Sequence, residues 1–513
     1  MDLLNTRIAS PNASTAGPWR RADLVGKLRG FPERGPRFLA ELFGHVTKRR
    51  PTGQESDPRL LKQGASDVDP IGLAGTLLSR PGQASDVTVA KALLDALSQL
   101  STDRWIAFWR DVTERLQPDV ERLTLAARSY IEAPTASAAL DLFHAAESPR
   151  QELLRRMNMV PGGTAALVTL RKELLTHLPD HPSLGPLDAD LKHLLMSWFN
   201  RGFLEIRRID WRTPAVVLEK LITYEAVHEI RGWDDLRRRL APDRRCFAFF
   251  HPAMPSEPLI FVEVALVNGL AVSVQTLLEP GPATAAQGSR ATTADTAIFY
   301  SISNCQDGLR GIAFGDFLIK QVVEELQAEF QGLRQYSTLS PVPGFRRWLE
   351  TRLRSEDLPD VPLDDEGRMR LCNAVEMPFE PERIAVALRC ALASDSWPNL
   401  GAIREAVRPL LLRLCAFYLT QPANAGGRVD PVGRFHLGNG ARLERLNWMA
   451  NSDKRGINES YGIMVNYLYD LPEIEANQAA FRDSGFVRRS AEVDALLTLP
   501  DGSEVVLLEP ALS

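Results

Sequence analysis

A glycine-rich stretch with one arginine is the first place where the sequence could carry chemistry. Arg310, Gly311 and Gly315 lie between an apolar run and an amphipathic run, a pattern that predicts a strand, a loop and a helix. Backbone N–H groups at the start of such a helix bind phosphate, and a guanidinium adds a charged contact. The pattern is neither a Walker A loop nor a dinucleotide-binding motif, and Asp316 counts against an anion there. From spacing alone, an ordinary turn is the favoured interpretation.

A serine and a histidine mark two further candidate sites. Ser340 lies in Thr338–Phe345 (TLSPVPGF), where two prolines and a glycine fix the backbone after a predicted short strand. An isolated Ser-Pro pair is usually only a turn. His436 lies in Phe435–Ala441 (FHLGNGA), among glycine, asparagine and aromatic residues without regular periodicity. A histidine in that setting can be held near neutrality and act as a proton donor.

The histidines and cysteines do not predict a metal site. None of the eight histidines forms an H-E-x-x-H pair, and the five cysteines are scattered without a C-x-x-C motif. An odd number of single thiols is typical of a reducing compartment. The N-terminal residues lack the apolar core of a secretory signal, so we expect a cytoplasmic protein.

Length and charge limit the class of protein. A chain of 513 residues predicts two or three domains. The net charge of −5 gives no whole-chain electrostatic basis for binding nucleic acid. No apolar run approaches the roughly 20 residues that a membrane-spanning helix needs. We therefore expect neither a nucleic-acid nor a membrane partner.

The surrounding pattern predicts a helical region followed by a mixed region that positions the three sites. Residues 90–201 show helical periodicity and read as a bundle, whereas short β-branched or aromatic runs follow Pro214. The predicted strands are Arg245–His251, Pro258–Val267, Leu270–Leu278, Thr296–Ser303 and Tyr336–Ser340, and the segment after residue 419 is predicted to be loop-rich. We expect an α+β chain with a helical oligomerisation domain at 1–190, including a mobile N-terminus and a linker near 50–88, and a catalytic domain at 191–513.

The residues around all three sites resemble the malonyl-CoA decarboxylase family. Four stretches carry the resemblance and occur in the family's order: HPAMPSEPLIFVEVAL (His251–Leu266), AIFYSISNCQDGLRGIAFGDFLIKQVVEEL (Ala297–Leu326), TLSPVPGFRRWL (Thr338–Leu349) and FHLGNGARLERLNWMANSDKRGINESYGIMVNYLY (Phe435–Tyr469). Several long motifs in order are more specific than a single glycine loop. The resemblance covers about residues 193–469.

The resemblance implies a fold and a set of site residues. The catalytic domain is expected to have the acyl-CoA N-acyltransferase fold, preceded by a helical domain. The CoA pyrophosphate is expected at the loop formed by Arg310, Gly311, Ile312, Ala313, Phe314, Gly315 and Asp316. Ser340 and His436 fall on the family's catalytic serine and histidine, and Tyr469 falls on a tyrosine of the substrate site. Ala313 departs from the family, since some relatives have glutamate there.

The reaction that the resemblance implies converts malonyl-CoA to acetyl-CoA and carbon dioxide. Loss of carbon dioxide leaves a thioester enolate, so we expect no cofactor beyond the CoA of the substrate. His436 is assigned to protonation of C2, while Ser340 binds the carboxylate or the thioester, or relays the proton. Asn439 and Asn447 are further candidate donors. A covalent acyl-serine intermediate is a less favoured hypothesis, because no nucleophile triad is evident.

Two other classes of function remain as alternatives. A CoA-dependent acyltransferase on the same fold would also bind CoA but would need an acceptor. A catalytically inactive CoA sensor or assembly protein is disfavoured because Ser340 and His436 are both present. The resemblance also implies a homo-oligomer, a tetramer built from dimers, with contacts largely from residues 90–190. Malonate catabolism and fatty acid metabolism both fit such an activity.

Overall fold

The chain divides into two compact units. The computed structural model describes residues 69–498 except 80–84, 280–290, 292, 313–314, 360, 362, 381–382 and 421–429. The first unit ends at Arg156 and the second begins at Met157. The mobile N-terminus and most of the linker predicted near 50–88 lie outside the described residues. The domain boundary predicted near residue 190 stays a prediction.

The described part of the first unit is helical, in agreement with the sequence. Its helices are α1 (Pro70–Ser79), α2 (Ser85–Ser98), α3 (Thr102–Arg115), α4 (Val120–Glu132), α5 (Ala136–Ala146) and α6 (Pro149–Asn158), the last crossing the unit boundary. Helix α3 buries Trp105, Phe108 and Trp109 on one face. The Trp109 ring packs edge-on against Phe108, with 4.9 Å between centroids. Helical spacing of large apolar residues therefore forms a core here.

Helices α4 and α5 form a hairpin that leaves apolar side chains exposed. Side chains cap both helices, because Asp119 accepts from Arg122 N and Thr135 accepts from Ala138 N. No residue of α4 is buried. The apolar side chains with more than half of their surface exposed are Val120, Leu125, Ile131, Leu140 and Phe143. Such a patch is typical of a surface that binds another molecule.

The second unit combines helices with one mixed sheet. Its strands are β1 (Glu205–Ile209), β2 (Arg244–Phe250), β3 (Ile260–Val267), β4 (Thr296–Asn304), β5 (Gln335–Thr338), β6 (Ser340–Pro341), β7 (Arg442–Asn447) and β8 (Met464–Leu468). Its helices are α7 (Gly163–His177), α8 (Gly185–Trp198), α9 (Ala215–Tyr224), α10 (Trp233–Arg239), α11 (Gln275–Leu278), α12 (Gly315–Glu329), α13 (Phe345–Ser355), α14 (Asp365–Ala374), α15 (Ile384–Ala391), α16 (Gly401–Thr420), α17 (Pro431–Gly438), α18 (Lys454–Ser460), α19 (Ile474–Ser484) and α20 (Ala491–Leu497). A bilayer-spanning helix would need greater length and apolarity than any helix in the described part of the chain has.

The sheet contains one parallel pair among its described strands. The order is β1-β2-β3-β4-β5-β8-β6, with β7 also paired to β8. Strands β4 and β5 are parallel, and their pairing ends at Phe299 and Thr338. Tyr300 is the extra residue of a bulge in β4, since Glu263 pairs with Ser301 and Val264 pairs with Phe299. Strand β4 and the segment that follows β5 therefore diverge next to Ser340.

One predicted strand is wrong. Residues 270–274 are irregular, and α11 follows at Gln275–Leu278 instead of strand. The carbonyl oxygens of Leu270 and Ala271 accept hydrogen bonds from the side chains of Arg445 and Asn466. Because side-chain donors satisfy this backbone, the β-branched run forms no ladder.

The segment after α16 contains more regular structure than the sequence predicted. It holds α17, β7, α18 and β8, and β7 and β8 pair antiparallel. Polar residues such as Asn447 and Asn466 are buried on these strands. Their presence removes the apolar alternation on which a sequence-based assignment depends.

Candidate active site

Ser340 lies just after β5, where the chain stops pairing with β4 and stays paired with β8. Leu339 N still donates to Phe299 O at 3.0 Å, whereas Ser340 pairs with Val465 of β8. The side chain of Ser340 is buried. Pro341 and Pro343 fix φ on either side of Val342, so the turn that follows is rigid. The predicted position of Ser340, at the end of a strand and before a tight turn, is confirmed.

His436 is carried by a short helix that the sequence did not predict. Asp430 caps α17, because its Oδ1 accepts from Val432 N and Gly433 N at 3.0 and 3.1 Å. Pro431 occupies the first turn, where a missing N–H costs nothing. An Asp-Pro pair is a helix-start signal, and it was available in the sequence.

The same carboxylate fixes the turn after Ser340. Asp430 Oδ2 accepts from Gly344 N at 3.1 Å and from the Tyr418 hydroxyl at 3.5 Å. Asp430 is fully buried, and this burial raises the pKa of its carboxyl group, although the backbone N–H donors oppose the rise. A Cβ on Gly344 would lie 2.2 Å from the Tyr418 oxygen, so a larger residue there would displace the Tyr418 side chain. One buried group thus links the Ser340 turn to the His436 helix.

A chain of hydrogen bonds joins Ser340, His436 and Tyr469. Ser340 Oγ lies 3.1 Å from His436 Nε2, and His436 Nδ1 lies 2.8 Å from the Tyr469 hydroxyl. Ser340 Oγ also donates to Thr338 Oγ1 at 2.9 Å. Since the serine proton is then engaged, Nε2 carries the imidazole proton and Nδ1 accepts from Tyr469. The structure therefore brings together the three residues singled out in the sequence.

Burial keeps the imidazole neutral. It lowers the pKa of His436 from 6.5 to about 3, and the Tyr467 ring stacks on the imidazole at 4.9 Å with an interplanar angle of 25°. Burial also raises the pKa of the Tyr469 hydroxyl well above 10. At neutral pH the site holds an uncharged imidazole between two protonated hydroxyl groups.

Thr338 and Asn466 are site residues that the sequence did not single out. Thr338 Oγ1 accepts from Tyr467 N at 3.1 Å, and the Thr338 carbonyl accepts from Asn466 Nδ2 at 2.7 Å. Thr338 therefore orients the Ser340 hydroxyl and ties β5 to β8. Its position two residues before Ser340 on a predicted strand was the available signal, because such residues share a face.

The two predicted asparagine donors occupy different surroundings. Asn447 donates to Asn466 Oδ1 at 2.8 Å and accepts from Arg445 Nε at 3.0 Å, so it reaches the site only through Asn466. Asn439 ends α17 directly after the His436 turn. Its Oδ1 is buried and has no hydrogen-bond partner among the described residues. Both donor roles stay predictions.

The glycine loop follows β4. Gly311 has φ of +77°, a left-handed conformation that favours glycine, and most of the Arg310 side chain is exposed. Ile312 is buried. Ala313 and Phe314 lie outside the described residues, and Gly315 and Asp316 are the first two residues of α12. Loop and helix start are thus adjacent, while their assignment to the CoA pyrophosphate stays a prediction.

Within the described ranges, no group of three His, Cys, Asp or Glu side chains is placed to hold a metal ion. The described part of the chain has a helical region followed by a mixed sheet, as the sequence predicted, and its second unit contains a buried serine–histidine pair and a glycine loop. The family model described as the malonyl-CoA decarboxylase C-terminal domain matches residues 202–505, and the model of the N-terminal domain matches residues 116–199. The chain belongs to the malonyl-CoA decarboxylase family.

Curated relatives and solved structures agree with this family. A mitochondrial malonyl-CoA decarboxylase of Anser anser anser is 37% identical over 355 residues, which cover 67% of this chain and 69% of the relative. That of Rattus norvegicus is 36% identical over 377 residues, covering 71% and 75%. Crystal structures of malonyl-CoA decarboxylases from Rhodopseudomonas palustris and Agrobacterium vitis are each 44% identical, with TM-scores of 0.70 and 0.74. They cover 83% and 84% of this chain, and 98% and 99% of their own.

Proposed function

We propose that this chain converts malonyl-CoA to acetyl-CoA and carbon dioxide. The observation that carries the proposal is the buried Ser340–His436–Tyr469 chain, with Ser340 Oγ 3.1 Å from His436 Nε2. Ser340 supplies a hydrogen-bond donor, and His436 supplies a proton source. The two residues are in contact next to the point where β4 and β5 stop pairing, and an acyl group would lie there. Membership of the decarboxylase family selects malonyl-CoA among acyl thioesters.

The reaction breaks one carbon–carbon bond and forms one carbon–hydrogen bond. The electron pair of the C2–carboxylate bond moves into the thioester enolate as carbon dioxide leaves, and C2 then takes up a proton. The site must orient the carboxylate, stabilise charge on the thioester oxygen and deliver that proton. Because the thioester itself holds the electron pair, we propose that the reaction uses no cofactor.

We propose that neutral His436 is the acid. A thioester enolate is a strong base, so it can take the Nε2 proton of an imidazole, directly or through the Ser340 hydroxyl. The Tyr469 hydroxyl at Nδ1 stabilises the charge that develops on the ring. Solvent restores the proton after the products leave. The low pKa of His436 suits this role, because the group needs no positive charge before the reaction.

Ser340 has a second task at the substrate. When substrate enters, the hydroxyl can turn from Thr338 toward the thioester oxygen or the carboxylate and donate to it. Among the described residues, no carboxylate is hydrogen-bonded to His436, whose Nδ1 instead faces the Tyr469 hydroxyl. This arrangement lacks the third member that activates a nucleophilic serine, so hydrogen bonding is favoured over a covalent acyl-serine.

The test is incubation of the purified protein with malonyl-CoA, followed by mass spectrometry of the CoA products. We expect acetyl-CoA and one equivalent of carbon dioxide with no acceptor present. A CoA-dependent acyltransferase would instead release free CoA and malonylate an added amine. Formation of a malonylated amine without carbon dioxide would overturn the proposal in favour of that alternative.

We propose that the protein is a homo-oligomer, a tetramer of paired dimers, with contacts largely from residues 90–190. The exposed apolar side chains of the α4–α5 hairpin support this proposal. Stable interfaces of this kind bury more than about 2,000 Å² and are apolar. Light scattering on full-length protein should give a tetramer mass, and Leu125→Glu with Ile131→Glu should lower it. Met369→Glu is the control, since Met369 is also exposed but lies in the second unit. A monomer mass for the unaltered protein would contradict the proposal.

We also propose a cytoplasmic location and a role in malonate catabolism or fatty acid metabolism. The scattered single thiols, which are typical of a reducing compartment, support the location. Fractionation of cells that express the chain tests it. Growth on malonate after loss of the gene tests the first of the two roles.

A further inference from the structure

Helices α7 and α8 are packed onto the glycine loop by a buried arginine. Arg171 Nη1 donates to the carbonyls of Gly308 and Arg310 at 2.7 and 2.9 Å. Its Nε donates to Asp188 Oδ1 of α8 at 2.8 Å. A Cβ on Gly308 would lie 1.9 Å from the Val168 carbonyl, so the loop and α7 touch at their backbones. The loop is therefore held at a fixed distance from α8.

Lys192 lies on the same face of α8 as Asp188, one turn further along. Its Nζ is 3.7 Å from the position that a Cβ on Gly311 would occupy. Lys192 is exposed, and its ammonium forms no hydrogen bond or ion pair with any described residue. By contrast, the nearby Lys172 is paired with Asp307 at 3.1 Å. An available cation thus stands directly beside the left-handed glycine of the loop.

We infer that Lys192 is a phosphate ligand for CoA; this inference rests on the proposed function, which makes a CoA thioester the substrate. Lys192 and the exposed guanidinium of Arg310 flank Gly311, and both can donate to phosphate oxygens there. Among the described residues, the charged side chains placed at the loop are the cations Arg171, Lys172, Lys192 and Arg310 and the carboxylates Asp188 and Asp307. These cations outnumber the carboxylates, and the three ion pairs that Asp188 and Asp307 form, with Arg171, Lys172 and Arg310, leave Lys192 available.

CoA offers two phosphate sources, the pyrophosphate and the 3′-phosphate of the ribose. Both present the same oxygen acceptors to an ammonium group. Malonyl-3′-dephospho-CoA lacks only the second source. Comparing it with malonyl-CoA in the same variant therefore identifies the phosphate that Lys192 binds.

The experiment compares steady-state kinetics of the full chain, Lys192→Gln and Lys172→Gln. We expect Lys192→Gln to raise KM for malonyl-CoA about tenfold with kcat nearly unchanged, because one charge-assisted hydrogen bond is lost in binding. Lys172→Gln removes the same charge from a helix beside the same loop, but that lysine is already paired with Asp307, so KM should change much less. With the dephospho substrate, a persisting tenfold difference assigns Lys192 to the pyrophosphate, and a vanishing difference assigns it to the 3′-phosphate. An unchanged KM in Lys192→Gln, or an equal rise in both variants, would overturn the inference.

Calorimetric titration with CoA itself separates this inference from the proposed function, since binding needs no turnover. If the unaltered chain binds CoA but fails to decarboxylate malonyl-CoA, the proposed function is wrong. Weaker CoA binding by Lys192→Gln would still support Lys192 as a CoA ligand. If the chain decarboxylates malonyl-CoA and Lys192→Gln binds CoA equally well, the function stands and the role of Lys192 does not.

Discussion

The buried side chain of His436 is neutral at physiological pH, and each of its two ring nitrogens has a hydroxyl partner. The neutral state comes from burial alone, which lowers its pKa to about 3. The hydroxyl partners decide which nitrogen holds the proton. An acid of this kind delivers a proton only to a strong base, and a thioester enolate is one.

We expect His436→Asn to lower kcat about 10²–10⁴-fold, because an acid–base group is lost. KM should change little, since the glycine loop is untouched. His144→Asn, at an exposed position on α5, is the control and should keep full activity. Near-normal turnover in a folded His436→Asn protein would remove His436 from the mechanism.

The pH dependence of kcat/KM distinguishes a neutral acid from an imidazolium. Because the pKa of His436 in the free protein is about 3, the imidazole is already neutral throughout pH 5–8. If the neutral form is the acid, kcat/KM stays level as pH rises through 6.5. If the imidazolium were required, kcat/KM would fall about tenfold for each pH unit in that range. A log–log plot of kcat/KM against pH gives the answer.

Ser340→Ala removes one hydroxyl from a backbone that Pro341 and Pro343 already fix. We expect an intact fold and a kcat lower by about 10²-fold, the usual loss for one donor to developing negative charge. Ser340→Thr keeps the hydroxyl and should recover part of the activity. Mass spectrometry of the unaltered protein during turnover should show no acyl adduct on Ser340. A trapped adduct would instead favour covalent catalysis.

At the scale of elements, the catalytic pair depends on how a strand end and a helix start are joined. Ser340 belongs to β6 and His436 to α17, and Asp430 accepts backbone N–H groups from α17 and from the turn after β6. The Tyr467 ring stacks on one face of the imidazole. The distance from Ser340 Oγ to His436 Nε2 is thus set by main-chain hydrogen bonds.

We expect Asp430→Asn to lower kcat at least tenfold while KM for malonyl-CoA stays within about threefold, because small shifts in the catalytic pair affect chemistry more than binding. An asparagine has only one acceptor oxygen, so its amide group would face a backbone donor. Asp364→Asn is the matched control: Asp364 caps α14 by accepting from Gly367 N at 2.8 Å. Because asparagine caps a helix about as well as aspartate, Asp364→Asn should change stability and kcat little. Equal kinetic effects in both variants would reduce Asp430 to an ordinary cap.

The sequence predicted those elements whose side chains follow a single rule. Helix α3 repeats large apolar residues at helical spacing, strand β3 is a nearly continuous apolar run, and β2 and β4 each contain a shorter apolar or aromatic run. The wrong strand at 270–278 has the same composition, and side-chain donors to its carbonyls decide its form. Helix α17 and strands β7 and β8 were missed because buried polar groups interrupt their pattern. Spacing could not predict that Ser340 and His436, 96 positions apart, lie in contact, whereas the family resemblance identified both as catalytic residues.

At the scale of the molecule, burial of titratable groups makes stability depend on pH. The pKa of His228 is lowered to about 3, chiefly by burial and also by the charges of Arg239 and Arg455, as burial lowers that of His436. Below pH 6.5 the unfolded chain binds protons that the folded chain does not. The free energy of unfolding therefore falls as pH decreases from 6.5 toward 3, by up to about 1.4 kcal/mol per pH unit for each histidine.

We expect His228→Gln to weaken this pH dependence. Urea unfolding followed by tryptophan fluorescence at several pH values between 4 and 7 should show a shallower slope in the variant than in the unaltered protein. His144→Asn should keep the original slope, because His144 is exposed. An identical slope in His228→Gln would mean that His228 takes up its proton within the folded state.

The backbone contact between Gly308 and Val168 bears on how this protein can be recombined with its relatives. Residues 116–199 match one family model and residues 202–505 match another, yet α7 and α8 belong to the same compact unit as the sheet. Val168, Leu195 and Phe199 lie in the core with the strands. A chimera joined at residue 200 would pair one parent's α7 with the other parent's loop, and any residue larger than glycine at position 308 would collide. A chimera joined near residue 157 takes α7, α8 and the loop from the same parent, so we expect that junction to be tolerated better.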